Sequence, residues 1–193
     1  MIIQRVILIT EVQLSKLLVV FIKDGEILMF EVDDYIMYGM TGVCKVLDIT
    51  NEKFINSDKR EYYVLSPIYS DNTIIKIPVD NNKVPMRKVI SKGDVTSLIN
   101  NIPNMETLWI EDEKKRNEKF KIMLKSGQCE KLIKLIRSID SNKEYVKSIG
   151  KKSYQADNHI MKEAERLLNE EFAIILDISP DEITSYISSK INQ

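Results

Sequence analysis

The hydrophobic pattern of this chain changes period once, near residue 90, and that change limits what the polypeptide can fold into. From Glu31 to about Lys88 the apolar residues fall in short runs rich in β-branched and aromatic side chains: DYIMYG, GVCKVLDIT, REYYVLSPIY, TIIKIPV and a short piece near Pro85-Met86-Arg87. Such residues suit a pleated, half-buried surface, and the runs read as five short strands. Gly39 and Gly42 bracket a tight turn, and Asn56-Ser57-Asp58 supplies turn chemistry between the second and third strands. Beyond Ser91 the spacing is helical. The expected fold is α+β in two domains: a small, half-open β-barrel of the SH3 or Tudor kind at 29–90, then an all-helical bundle at 91–193.

The helical half is punctuated by caps. Ser91-Lys92-Gly93-Asp94 approximates a capping box, and the helix it starts stops before Pro103, which makes this stretch the expected hinge between domains. A second helix is expected from Met105 or Trp109 to Lys125, ended by Ser126-Gly127. A third runs from Gln128 to about Ile139, with Leu132, Ile133, Leu135, Ile136 and Ile139 as its apolar stripe. A long helix follows from Tyr154 to Leu176, and Ser179-Pro180-Asp181-Glu182 opens a short last one.

Composition excludes several classes. With 193 residues, 44% hydrophobic and 30% charged, the chain is an ordinary globular protein of one or two domains. Its net charge of -1 means that any polyanion binding needs a local basic surface. Lysines and arginines outnumber acids between Trp109 and Arg166, clustering as Lys114, Lys115, Arg116, Lys119 and Lys121 and again as Lys151-Lys152. Phosphates are drawn to such a surface whatever their sequence, although a helical charge run interleaved with Glu111, Asp112, Glu113 and Glu118 also reads as a solvated face. Trp109, the one tryptophan, reads equally as a core anchor. Cys44 and Cys129 are far apart and lack a neighbouring histidine, which gives neither a zinc site nor a disulfide framework and fits a reducing cytosol.

No catalytic motif is present. Gly150-Lys151-Lys152-Ser153 resembles the end of a phosphate-binding loop, but Tyr145 stands where the first glycine is needed, and no Ser or Thr follows the first lysine directly. His159, the only histidine, sits in a lysine- and glutamate-rich helical pattern and is assigned no chemistry; Glu163, Glu165 and Glu170-Glu171 read as helix-surface carboxylates. The expectation is a non-enzyme without cofactor or metal.

The β-rich half carries a resemblance. FEVDDYIMYGMTGVCKVLDI is similar to the opening of the CarD/CdnL family, Lys59-Arg60-Glu61-Tyr62-Tyr63-Val64-Leu65 and Ile77-Pro78-Val79-Asp80-Asn81 stand at its next two strand motifs, and MRKVISK resembles its closing motif. Asp33, Gly39, Thr41 and Cys44 depart from the usual residues, a variant expected of a clostridial branch. The resemblance implies a Tudor-like domain that binds the β subunit of RNA polymerase, with Lys76 at the place of a basic residue on the polymerase-facing strand. It also implies that the helical domain contacts promoter DNA at the upstream edge of the melted bubble. There Trp109 stands as the minor-groove wedge and Lys114, Lys115, Arg116, Lys119, Lys151 and Lys152 as backbone contacts, with weak sequence preference. Trp109 lies about one helical turn farther from Ser126-Gly127 than the family pattern has it. The implied protein is a cytoplasmic, monomeric transcription regulator; a protein-interaction adaptor that never touches DNA, and a DNA-binding protein independent of polymerase, are the competing readings.

Residues 1–28 stand outside this pattern. Arg5, Glu11, Gln13, Lys16 and Lys23 interrupt their apolar runs, so no segment reaches the roughly 18 to 20 apolar residues that span a bilayer. The codons for Lys23-Asp24-Gly25-Glu26 are purine-rich like a ribosome-binding site, which makes Met29 a candidate native start and the preceding stretch a mis-assigned extension.

Overall fold

The computed structural model describes residues 21–23, 26–28, 30–52, 59–150 and 152–191. The start proposed at Met29, the turn at 56–58 and Lys151 lie outside the described residues. Strands β1 (Phe21–Lys23) and β2 (Glu26–Leu28) pair as a separate antiparallel ribbon. The main sheet is built from β3 (Tyr35–Tyr38), β4 (Gly42–Glu52), β5 (Arg60–Pro67), β6 (Ile75–Pro78) and β7 (Met86–Lys88), in the order β6-β5-β4-β3-β7. All its pairings are antiparallel, and each strand falls on one of the five runs expected from sequence.

Alternation along the strands sends Ile36, Cys44, Val46, Tyr63 and Leu65 to one face, where with Phe30 they form a compact cluster. The buried Tyr63 hydroxyl accepts the backbone N–H of Phe30 at 3.2 Å and their rings lie 5.5 Å apart, which fixes the chain's entry into the sheet. Leu47 is the extra residue where the β4–β5 register shifts, a bulge that bends β4 and leaves this leucine exposed.

Five α-helices follow among the described residues: α1 (Lys92–Asn101), α2 (Glu113–Lys125), α3 (Cys129–Ser148), α4 (Gln155–Leu176) and α5 (Ile183–Ile191). Their apolar faces converge on a second, larger cluster centred on Phe120, Leu132, Leu135, Leu167 and Phe172. Met37 and Val43 of the sheet join this helical cluster, so the two halves share a core boundary.

Three helical expectations need correction. The α1 stretch is not a free hinge: its capping box forms as expected, but Val95 and Ile99 are buried in the helical cluster. Nor does α2 begin at Met105 or Trp109; it begins at Glu113, capped by the Asp112 side chain, which accepts the Lys115 N–H at 3.0 Å. The segment before it stays extended because side chains from elsewhere capture its backbone. Ser138 Oγ accepts the Leu108 N–H at 2.8 Å, Arg137 donates to the carbonyls of Ile102 and Met105, and Arg116 donates to that of Ile110 at 2.8 Å. With those groups satisfied from outside, an intrahelical ladder offers no advantage. Helix α3 also runs nine residues past the end of its apolar stripe, because no breaker intervenes before Gly150, whose φ is +72°.

Candidate functional site

Three regions hold the residues singled out by sequence. The first is the outer edge of the sheet. Among the described residues β6 pairs with β5 alone, so it is an edge strand there, and Lys76 lies on it, half exposed. Its ammonium is bonded to Glu52, and that hydrogen bond pulls the Glu52 carboxyl below the ordinary carboxylate range. Ile74, at the start of this edge, is 56% exposed, so the edge offers main-chain hydrogen bonding, an apolar contact and a charge pair together.

The second region is the surface formed where α2 and α4 begin. Lys114, Lys115, Lys119, Lys121 and Lys125 are exposed on α2 against the exposed Glu113 and Glu118, so this helix has a net positive outer face, and Lys152 is exposed just before α4. Ile122, 66% exposed, lies on the same face as Lys115 and Lys119. Arg116 departs from the expectation of a phosphate-facing side chain, since only 1% of it is exposed. Its guanidinium carbon lies 4.3 Å from the centroid of the Trp109 ring and 4.7 Å from that of Tyr154, within cation–π range of both. Nε and Nη2 meet Asp157 Oδ2 at 3.1 and 3.0 Å. One buried cation therefore joins the extended segment, α2 and the first turn of α4. Trp109, half-buried, also packs edge-on to Phe120 with centroids 6.4 Å apart. The structure thus brings Trp109 next to Arg116, with α2's exposed lysines alongside on the outer face.

The third region, which the sequence reading missed, is the junction between sheet and helices. Glu171, read from sequence as a helix-surface carboxylate, is fully buried, and Glu170 nearly so. Arg87 from β7 grips Glu171 with two parallel bonds of 2.5 and 2.6 Å, and its Nε donates to the Gly127 carbonyl at 3.1 Å. Glu171 also accepts the backbone N–H of Ile90 at 3.1 Å and the Cys129 thiol at 3.0 Å. Burial, the largest single influence, works against the Arg87 charge, but the bond to Glu171, the charge of Glu171 and the neighbouring Cys129 together outweigh it and the pKa rises. Burial, reinforced by Glu171, drives the Cys129 thiol well above its ordinary value. Beside this latch Arg166 bridges Glu170 at 2.8 Å and the Met40 carbonyl at 2.8 Å, while Gly42 passes so close that a Cβ there falls 2.0 Å from Glu170 Oε2.

Against protein-family models, residues 30–90 match the CarD-like/TRCF RID domain. The sheet half of this chain is a CarD-like domain. Domains of this type interact with the RNA polymerase β subunit, so the match implies that partner here. None of the curated proteins matches the chain.

The CarD-like match ends at residue 90, and α1 begins at Lys92, so the matched unit coincides with the sheet and the junction strand β7. Both anchors of the latch on the sheet side, Arg87 and the Ile90 N–H, fall within the CarD-like domain, whereas Glu171 lies in the helices beyond it. Among the described residues no helix is long and apolar enough to cross a membrane.

Proposed function

We propose that this chain is a non-enzymatic transcription regulator that grips the RNA polymerase β subunit with its CarD-like domain and contacts promoter DNA with its helical domain. The observation that carries the reading is the CarD-like match at residues 30–90. Edge strand β6 with Lys76 is the polymerase-facing surface: an open strand edge takes a partner strand by main-chain hydrogen bonds, and the lysine exchanges Glu52 for an acid on the partner. Trp109 and the exposed Lys114, Lys115, Lys119 and Lys152, with Lys151 beside them in sequence, are the DNA side, supported by their exposure on a net positive helix face. Lysines hold phosphates without reading bases, and an apolar ring set at a distorted base step offsets unstacking, which slows collapse of the upstream edge of the bubble. Base selectivity is weak in this arrangement, because the minor groove offers little code.

The test is retention of the full chain and of Lys76→Glu on the isolated lobe of the polymerase β subunit, followed by open-complex lifetime with Trp109→Ala. Retention lost on charge reversal and lifetime shortened without the indole are the expected results. A chain that ignores the lobe and forked DNA alike overturns the reading and leaves a protein-interaction adaptor.

A further inference from the structure

We propose that Tyr154 is a second nucleic-acid contact, on which an unpaired base of forked DNA stacks, and that the buried Arg116 is the positioning residue that holds both Tyr154 and Trp109 against one cation. The inference rests on the DNA-contacting reading above and adds to it a residue and a ligand state, a flipped-out or frayed base rather than a paired duplex.

The case begins with a broken local rule. Tyr154 is the N-cap of α4, where Ser, Thr, Asp or Asn normally satisfy a free backbone N–H, and its side chain makes no such bond. Ser153, a natural cap, stands one residue earlier, its hydroxyl bonded instead to the Asn158 side chain at 3.0 Å. What the tyrosine gains at this position is the guanidinium of Arg116, 4.7 Å from its ring centroid. A departure from local preference that is compensated in this way is the pattern expected at functional positions.

Arg116 is itself held in place. Its Nε donates to Asp157, which is 3% exposed, Nη2 lies 3.0 Å from the same carboxylate oxygen as an ion pair without a hydrogen bond, and Nη1 donates to the Ile110 carbonyl. Trp109 and Tyr154, 45 positions apart in sequence, are therefore held against one immobile cation. Trp109 is hemmed in by Phe120, but Tyr154 keeps 44% of its surface exposed. An aromatic ring backed by a rigid stack and open on its other side loses almost no conformational freedom when a base settles on it, which is the condition for strong stacking. Lys152, exposed two residues earlier, places a charge where the phosphate next to that base would lie. Any base has a π-face, so the contact is indifferent to sequence.

The experiment uses the full chain and a forked duplex carrying 2-aminopurine at its first unpaired position, with the fully paired duplex as reference. Tyr154→Phe keeps fork affinity and the quenching of 2-aminopurine, whereas Tyr154→Leu loses roughly tenfold in fork affinity, at the low end of what one stacked base contributes, leaves the paired duplex unaffected and abolishes the quenching. A ring that only covers the Arg116–Asp157 pair would change thermal stability and neither DNA readout. Because Tyr154→Leu risks unfolding α4, a second probe places the only tryptophan at the site, Tyr154→Trp in a Trp109→Phe background, whose emission falls on addition of fork. Unchanged emission from a Tyr154→Trp/Trp109→Phe protein that still binds fork by anisotropy, or a folded Tyr154→Leu protein that binds fork like the parent while Trp109→Leu does not, overturns the role of Tyr154 and leaves the DNA reading standing. A parent protein that binds no fork overturns both.

Discussion

Replacing Arg87 by methionine tests whether the Glu171 latch joins the two halves. The substitution keeps most of the aliphatic volume but removes the two bonds to Glu171 and the bond to the Gly127 carbonyl, leaving a fully buried carboxylate with only the Ile90 N–H and the Cys129 thiol. Stripping one partner from a buried ion pair costs about 3–5 kcal/mol. The Arg87 side chain is 27% exposed, so water reaches the site and the low end, about 3 kcal/mol, is expected. For a chain of this size that lowers Tm by roughly 6–12 °C. A double-mutant cycle separates this mechanism from simple loss of packing. In the double variant Arg87→Met/Glu171→Met no charge is left buried, and the loss is smaller than the sum of the two single losses by at least about 1 kcal/mol. Urea unfolding followed by circular dichroism and by Trp109 fluorescence measures all four proteins. A loss below about 1 kcal/mol for Arg87→Met, or strict additivity in the cycle, refutes the reasoning.

Gly42→Ala should cost about 2–3 kcal/mol in urea unfolding, because its φ of +95° strains any other residue and the new Cβ displaces the Glu170 carboxylate; Gly127→Ala, at φ +60° with open space around it, should cost only about 1–2 kcal/mol. The buried thiols Cys44 and Cys129 should resist a thiol reagent at pH 8 in the native protein and react once urea is added. Burial raises Cys44 from 9.0 to about 12, so the folded state keeps its proton where the unfolded state loses it, and stability falls as pH rises from about 9 towards 12, by up to about 1.4 kcal/mol per unit from this thiol, a share that Cys44→Ala should remove while that of Cys129 remains. If Lys119 or Lys152 holds a phosphate, its replacement by alanine should reduce the slope of log affinity against log salt by about 0.9, while unchanged slopes would remove that lysine from the interface.

The five strands of the main sheet were legible because each apolar run between Glu31 and Lys88 is short and bounded by turn residues, and because Ile36, Cys44 and Val46 alternate with outward positions, whereas the β1–β2 ribbon was not read. The helices were legible in number but not in their charged interior. Asp157 stands three and four residues before Ile160 and Met161, and Glu171 four and three residues after Leu167 and Leu168, so both acids lie on the apolar stripe of α4. Arg116 likewise precedes Phe120 by one turn and Met123 by two on the buried stripe of α2. That phase was the available signal: a charge on an apolar stripe is buried against a partner or it is not tolerated. Reading the charges as a run along the chain rather than by helix face placed Arg116 among the phosphate contacts and Glu171 in solvent. The extended segment 105–112 was beyond local reading, since what keeps it from joining α2 is Arg137 and Ser138, a helix away in sequence.

If the helices contact DNA as proposed, the latch bears on how so weak a contact becomes useful. A net charge of -1 gives no long-range attraction to DNA, so the lysine face alone offers only local, salt-sensitive affinity. Once the CarD-like domain is held on polymerase, the second contact is intramolecular, and its effective concentration depends on how narrowly the joint restricts the helical domain. A flexible linker would spread that domain over a wide volume. Here the last residues of the sheet half, Arg87 and Ile90, are bonded to Glu171 of α4, and Met37 and Val43 are packed into the helical cluster, so the joint is stiff. It follows that Arg87→Met should leave binding to the isolated β lobe intact and binding of free DNA nearly so, yet shorten the open-complex lifetime in the three-component assembly. A variant that loosens the joint and leaves that lifetime unchanged would show that the two surfaces act independently.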